Sequence, residues 1–96
     1  TAYKQAIKIK PDLPEAHNNL GLIYDTLNKQ QEAIALFKQA IAINPDYAEA
    51  YNNLSAIYFQ NKQYKLAIEY CDKASQLGFT NPILQEALKP YKELAQ

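Results

Sequence analysis

Glu15-Ala16-His17-Asn18-Asn19-Leu20-Gly21-Leu22-Ile23-Tyr24 returns 34 residues later as Glu49-Ala50-Tyr51-Asn52-Asn53-Leu54-Ser55-Ala56-Ile57-Tyr58. Seven of the ten positions are identical: Glu15/Glu49, Ala16/Ala50, Asn18/Asn52, Asn19/Asn53, Leu20/Leu54, Ile23/Ile57 and Tyr24/Tyr58. Self-similarity at a fixed period of this length marks an architecture in which each unit stacks on the next. The recurring residues divide into two sets. At 100° per residue, His17, Leu20, Gly21, Tyr24 and Leu27 fall on one helix face. Glu15, Asn18, Asn19, Leu22 and Thr26 fall on the opposite face, where packing supplies no evident reason for them to recur.

Working outward, Thr1 to Lys10 carries Tyr3, Ala6 and Ile7 on a helical apolar face. Pro11 ends that helix, because the residue before a proline avoids the right-handed helical region. Pro14 suits the first turn of the next helix, where the missing N–H is not needed. The pattern then predicts helices from Pro14 to about Asn28, Gln31 to Ile43, Ala48 to Asn61 and Tyr64 to Leu77. The breaks between them are Asn28-Lys29-Gln30, Asn44-Pro45-Asp46 and Lys62-Gln63. Ala33, Phe37 and Ala40 mark the contact face of the second of these helices. Tyr51, Leu54, Ser55 and Tyr58 mark that of the third, and Ala67, Ile68, Cys71 and Ala74 that of the fourth. Beyond Leu77 the period reads as broken. Gly78 suits a left-handed C′ position. Asn81 then reads as an N-cap with Pro82 at the first helical position. The last helix sets Ile83, Leu84, Ala87, Leu88, Tyr91 and Leu94 on one apolar stripe, with Pro90 expected to kink or interrupt it near Leu88.

Composition narrows the function. Ninety-six residues make one domain at most. Ten Lys and no Arg balance ten Asp plus Glu, for zero formal net charge. The absence of Arg argues against sequence-specific nucleic-acid recognition. Neutrality argues against non-specific binding to nucleic acid or to an anionic membrane. A single cysteine, Cys71, allows no internal disulfide and no thiolate metal cage. That suits a reducing compartment, and a cytoplasmic location is the expectation. The chain begins at Thr1, inside a helical pattern and without Met, so the sequence reads as a fragment of something longer.

The order helix, short turn, helix, proline connector, repeated every 34 residues, resembles the tetratricopeptide repeat (TPR) family. Its signature is W-x₂-L-G-x₂-Y, then A-x₃-F, then P. The first full repeat carries His17, Leu20, Gly21, Tyr24, Ala33, Phe37 and Pro45, so only the opening aromatic is replaced. The second carries Tyr51, Leu54, Ser55, Tyr58 and Ala67. It departs at Ser55 for glycine, Cys71 for phenylalanine and Phe79 for proline. The resemblance implies an all-α, right-handed solenoid of antiparallel helix pairs. Residues 1–13 would be the second helix of a truncated repeat, 14–47 and 48–81 two full repeats, and 82–96 a C-terminal capping helix.

By the same resemblance, the first helix of each repeat builds a concave wall that takes ligands. The stripe on that wall is Glu15, Asn18, Asn19, Leu22, Asp25 and Thr26, continued by Glu49, Asn52, Asn53, Ala56, Phe59 and Gln60. Asparagine is a mediocre helix former, yet the doublet occurs twice in one register. Its amide offers both a donor and an acceptor to an extended backbone. This is similar to the asparagine ladder in the TPR superhelix of O-linked N-acetylglucosamine transferases. A structural role at the repeat junction is the other reading of Asn18 and Asn52. The carboxylate clamp that grips chaperone tails needs Lys or Arg on this stripe. The stripe has Glu15 and Glu49 instead, so the clamp is disfavoured. Phe59 either joins Leu22 in an apolar pocket or packs on the last helix.

His17 reads as a structural histidine, Cys71 as a buried inert thiol, and Tyr3, Tyr24, Tyr51 and Tyr58 as packing. No catalytic constellation, cofactor loop or metal-ligand cluster is legible. The sequence therefore reads as a non-enzymatic interaction scaffold. Its expected partner is an extended peptide or protein of neutral or basic character. Homo-oligomer assembly through Tyr3 and Ile7 of the opening helix is the alternative, as is a regulatory region of a larger enzyme.

Overall fold

A computed structural model describes residues 13–94 of the chain. The expected opening helix, its proline connector and the association surface at Tyr3 and Ile7 lie outside the described residues. Five helices follow: α1 (Pro14–Thr26), α2 (Gln30–Ile43), α3 (Ala48–Gln60), α4 (Tyr64–Gln76) and α5 (Pro82–Leu94). No strand occurs among the described residues. α1 pairs with α2 and α3 with α4, each as a hairpin, and α5 docks against α4. The stack extends 45 × 26 × 18 Å.

The turns explain how two helices fold back so tightly. Asn28 and Lys62 each hold φ at 63°, and Gly78 holds 99°. In each case the following N–H, of Lys29, Gln63 or Phe79, donates to a carbonyl five residues back. The acceptors are Tyr24, Tyr58 and Ala74, at 2.8, 2.9 and 2.9 Å. This is the left-handed cap that satisfies the last carbonyls of a helix. Glycine adopts it freely at Gly78, whereas Lys62 adopts it against the steric preference of an L-residue.

The core is one continuous cluster built on Phe37, Leu54, Ile57, Tyr58, Leu84 and Leu88, with alanines 33, 40, 50 and 67 between them. The alanines let helix axes approach closely. Gly21 does the same on α1, because a Cβ there would stand 2.6 Å from Phe37 Cε1 and 2.9 Å from Cδ1. The second repeat meets the same contact with a different pair. Ser55 replaces the glycine and Cys71 the phenylalanine, both buried. The Ser55 hydroxyl donates to the Ala67 carbonyl at 2.6 Å. The two departures from the family signature are thus complementary in volume.

Four expectations need correction. α5 does not break the period: α1, α3 and α5 begin at Pro14, Ala48 and Pro82, successive steps of 34. It occupies the place of the first helix of a third repeat. α5 also runs through Pro90 to Leu94 without interruption. Pro90 and Glu86, the residue whose carbonyl a proline there leaves without its N–H partner, are both exposed. The apolar stripe of α5 is only partly consumed. Leu84 and Leu88 are buried, but Ile83 and Leu94 are 85% and 80% exposed. Leu27, placed by the pattern on the packing face of α1, lies beyond the helix end and is exposed.

The remaining positions of α5 fit a helix that closes the core below it. Gln85, Lys89 and Lys92 stand where His17, Gly21 and Tyr24 face the partner helix in α1. Gln85 donates to the Ser75 hydroxyl at 2.8 Å, and the Lys92 ammonium meets Asp72 at 2.8 Å. As the sequence indicates, Asn81 caps α5, its Oδ1 accepting from the Leu84 N–H at 3.1 Å.

Candidate peptide-binding wall

The first helix of each repeat is buried on two sides, once by its own hairpin partner and once by the neighbouring repeat. That second contact places the asparagines. Asn18 does not stand on the open stripe: it is fully buried. The Asn53 amide donates to Asn18 Oδ1 at 2.9 Å, from one repeat to the preceding one. One step along, Asn81 Nδ2 donates to Asn52 Oδ1 at 3.0 Å. The recurring doublet therefore has a packing reason that the helical wheel alone does not reveal. Its first member accepts a bond from the next unit. Asn18 Nδ2 is buried without a hydrogen-bond partner, so the junction is not fully satisfied.

The other stripe residues divide by exposure. Glu15, Leu22, Thr26, Glu49 and Gln60 are exposed, while Asn19, Asn52, Asn53, Ala56 and Phe59 are half-buried. The Thr26 hydroxyl returns to the Leu22 carbonyl at 2.9 Å, and Gln30 donates across the repeat boundary to Gln60 Oε1 at 3.0 Å. Asn53 keeps its Oδ1 outside any hydrogen bond among the described residues. Glu15 and Glu49 act on one neighbourhood. The Tyr47 hydroxyl is pushed above its ordinary value chiefly by burial, then by Glu49 and then by Glu15. Two carboxylates from successive repeats thus both act on the Tyr47 hydroxyl.

Toward α5 the wall changes character. Ala56, Phe59, Ile83, Leu84 and Ala87 line an open trench of about 400 Å³, with Gln60 and Asn81 beside them. The Phe59 ring meets Tyr64 and Tyr91 edge-on, at 5.7 and 6.3 Å between centroids. Tyr64 and Tyr91 themselves stack at 3.6 Å. Phe59 thereby packs on the last helix and also faces the trench. Ile83 and Ala87 belong to the wall although the sequence pattern assigns them to the core. Counting the repeat period on from Glu49 and Asn53 arrives at both.

The single histidine and the single cysteine are both buried. Burial pushes the Cys71 thiol up, and Asp72 adds to the shift, so the neutral thiol prevails near neutral pH. His17 is buried in its α1 slot. Among the described residues no cluster of His, Cys, Asp and Glu could hold a metal ion. No helix there is long and apolar enough to cross a membrane.

Stacked helical hairpins with a continuous core and a recurrent outward stripe define a helical-repeat solenoid, a class built to present an extended surface. Residues 14–47 match the tetratricopeptide repeat family model, and residues 36–69 match a second model of that repeat. The chain belongs to the tetratricopeptide repeat family. Among solved structures it is similar to MamA, at 28% identity and a TM-score of 0.75, over 79% of this chain and 44% of MamA. It is also similar to the N-terminal domain of stress-induced protein-1 from C. elegans, at 28% identity and a TM-score of 0.65, over 68% and 51% of the two chains. YrrB, a TPR protein with an unusual peptide-binding site, shares the fold at 24% identity and a TM-score of 0.83, over 88% and 43%. The chain spans about half or less of each of these proteins. No curated protein matches the sequence.

Proposed function

We propose that this chain is a protein-interaction scaffold that holds an extended segment of a partner along the wall formed by α1 and α3. The observation that carries this reading is the state of the Asn53 amide. Its donor is committed to Asn18, which fixes the side chain in place, and its acceptor is left open. A backbone N–H of the partner supplies the donor that Oδ1 lacks. Asn19 stands in the same register one repeat earlier and offers a second point of attachment. Glu15 and Glu49 favour a neutral or basic segment through the negative field they share. Because the side chain is already ordered, little conformational entropy is lost on binding.

The test uses two acetylated octapeptides of Gly and Ser, one with a central lysine and one with a central glutamate. An NMR titration of the labelled chain should shift the amides of residues 15–26 and 49–60 with the lysine peptide and leave them in place with the glutamate peptide. Asn19→Ala should weaken that binding without lowering the melting temperature. Lysine-peptide binding that is unchanged in Asn19→Ala, and mapped to other residues, refutes the groove reading.

A further inference from the structure

We infer that the trench between α3 and α5 is an apolar subsite of the same wall, and that it takes one leucine-sized aliphatic side chain of the bound segment, three residues from a basic residue opposite Glu49. This rests on the reading above and names the sequence class of the ligand. The 34-residue register carries the argument. The wall position held by Glu15 and then Glu49 is Ile83 on α5, and the position held by Asn19 and then Asn53 is Ala87. At these two positions one repeat changes the wall from a carboxylate and an amide to apolar side chains, while Glu86 follows Asn18 and Asn52. Ile83 is 85% exposed, so core packing does not account for an isoleucine there. It faces the same trench as Ala56 and Phe59, and Gln60 and Asn81 stand beside them with amides able to meet a backbone.

Charge and spacing select the occupant. Ala56 lies seven residues beyond Glu49 on α3, about 10 Å along the helix at 1.5 Å per residue. An extended chain rises about 3.3 Å per residue, so some three of its residues cover that distance. A segment with a basic side chain at Glu49 therefore brings its third neighbour to the trench. A polar side chain there would be desolvated against Phe59 and Ile83, whereas an aliphatic one removes apolar surface of both partners from water.

The experiment titrates the full chain with acetylated Gly/Ser octapeptides that carry one lysine and, three residues away on either side, leucine or alanine. A third version moves the leucine next to the lysine. The leucine peptide, in one of its two directions, is expected to bind at least about fivefold tighter than its alanine counterpart. It is also expected to bind tighter than the version with adjacent residues. Ile83→Ser should abolish the leucine preference and leave the melting temperature unchanged, since the side chain is exposed. If wild type shows no leucine preference, or Ile83→Ser keeps it, the subsite is refuted while lysine- and Asn19-dependent binding still stands. If no lysine peptide binds at millimolar concentration, the groove reading falls and the subsite with it.

Discussion

Exchanging the Gly21–Phe37 contact for the Ser55–Cys71 contact of the next repeat tests whether the two are alternative solutions to one packing problem. A serine at position 21 places its Cβ 2.6 Å from the Phe37 ring. Carbon atoms prefer about 3.5–4.0 Å, so the ring must retreat by roughly 1 Å. Phe37 is fully buried among α1, α2 and α3, and overpacking of that kind costs about 1–3 kcal/mol. The gain in helix propensity over glycine, at most about 0.5 kcal/mol, offsets little of it. Phe37→Cys alone leaves a cavity and costs about 3–5 kcal/mol. In the double variant Gly21→Ser/Phe37→Cys the serine occupies part of that cavity and the clash disappears. The two changes should therefore couple favourably by about 1–3 kcal/mol. Urea denaturation of wild type, both single variants and the double variant gives the cycle directly. Each kcal/mol corresponds to about 4–8 °C in a domain of this size, so melting curves give a second measure. Additivity within about 0.5 kcal/mol would refute the reasoning, because the ring would then be insensitive to what stands at position 21.

Two further outcomes follow from local geometry. Lys62 holds φ at 63° where Gly78 solves the same turn freely. Relief of left-handed strain of about 1–2 kcal/mol, less glycine's entropy of about 0.5–1 kcal/mol, should make Lys62→Gly more stable by roughly 0.5–1 kcal/mol; a fall in the urea midpoint would contradict it. Cys71, Tyr47 and Tyr51 all have folded pKa values raised first by burial. A raised folded pKa leaves stability intact below the ordinary value and removes it as pH rises through the folded one. Thermal stability should therefore stay flat from neutrality to about pH 8 and fall above the thiol range near 8.5, with Cys71→Ala delaying the onset; a fall beginning near pH 7 would sink this account.

The helices were legible because each carries its own period and punctuation. Pro14, the proline of Asn44-Pro45-Asp46, Gly78 and the Asn81-Pro82 pair mark boundaries through local backbone chemistry, which needs no knowledge of the rest of the chain. The packing face of α1 was legible for the same reason, and Leu20 and Gly21 are buried as the wheel indicates. What the wheel cannot contain is the neighbour in the stack. Asn18 points away from the hairpin partner and is nonetheless fully buried, because burial on that side comes from a contact made across 35 residues of chain with Asn53. Ile83 and Leu94 show the converse. Their spacing is that of a core stripe, yet α5 buries only the side that meets the second repeat. The 34-residue period, continued past Leu77, brings Ile83 in line with Glu15 and Glu49.

The doublet also ties the wall to the stability of the stack. Asn53 is the donor that satisfies a buried acceptor of the preceding repeat and the acceptor proposed for the ligand. Removing its side chain would leave Asn18 Oδ1 buried and unpaired, at about 1–3 kcal/mol. A binding defect in an Asn53 variant is therefore ambiguous, because a loosened junction moves the wall as well as removing the contact. The Asn19 side chain makes no hydrogen bond to the stack among the described residues, and that is why it is the cleaner probe of the ligand. Asn18 and Asn52 accept the hydrogen bonds that anchor the junctions. Glu49 and Ile83 are left exposed by junction packing, and they are the positions at which the proposed segment would be selected.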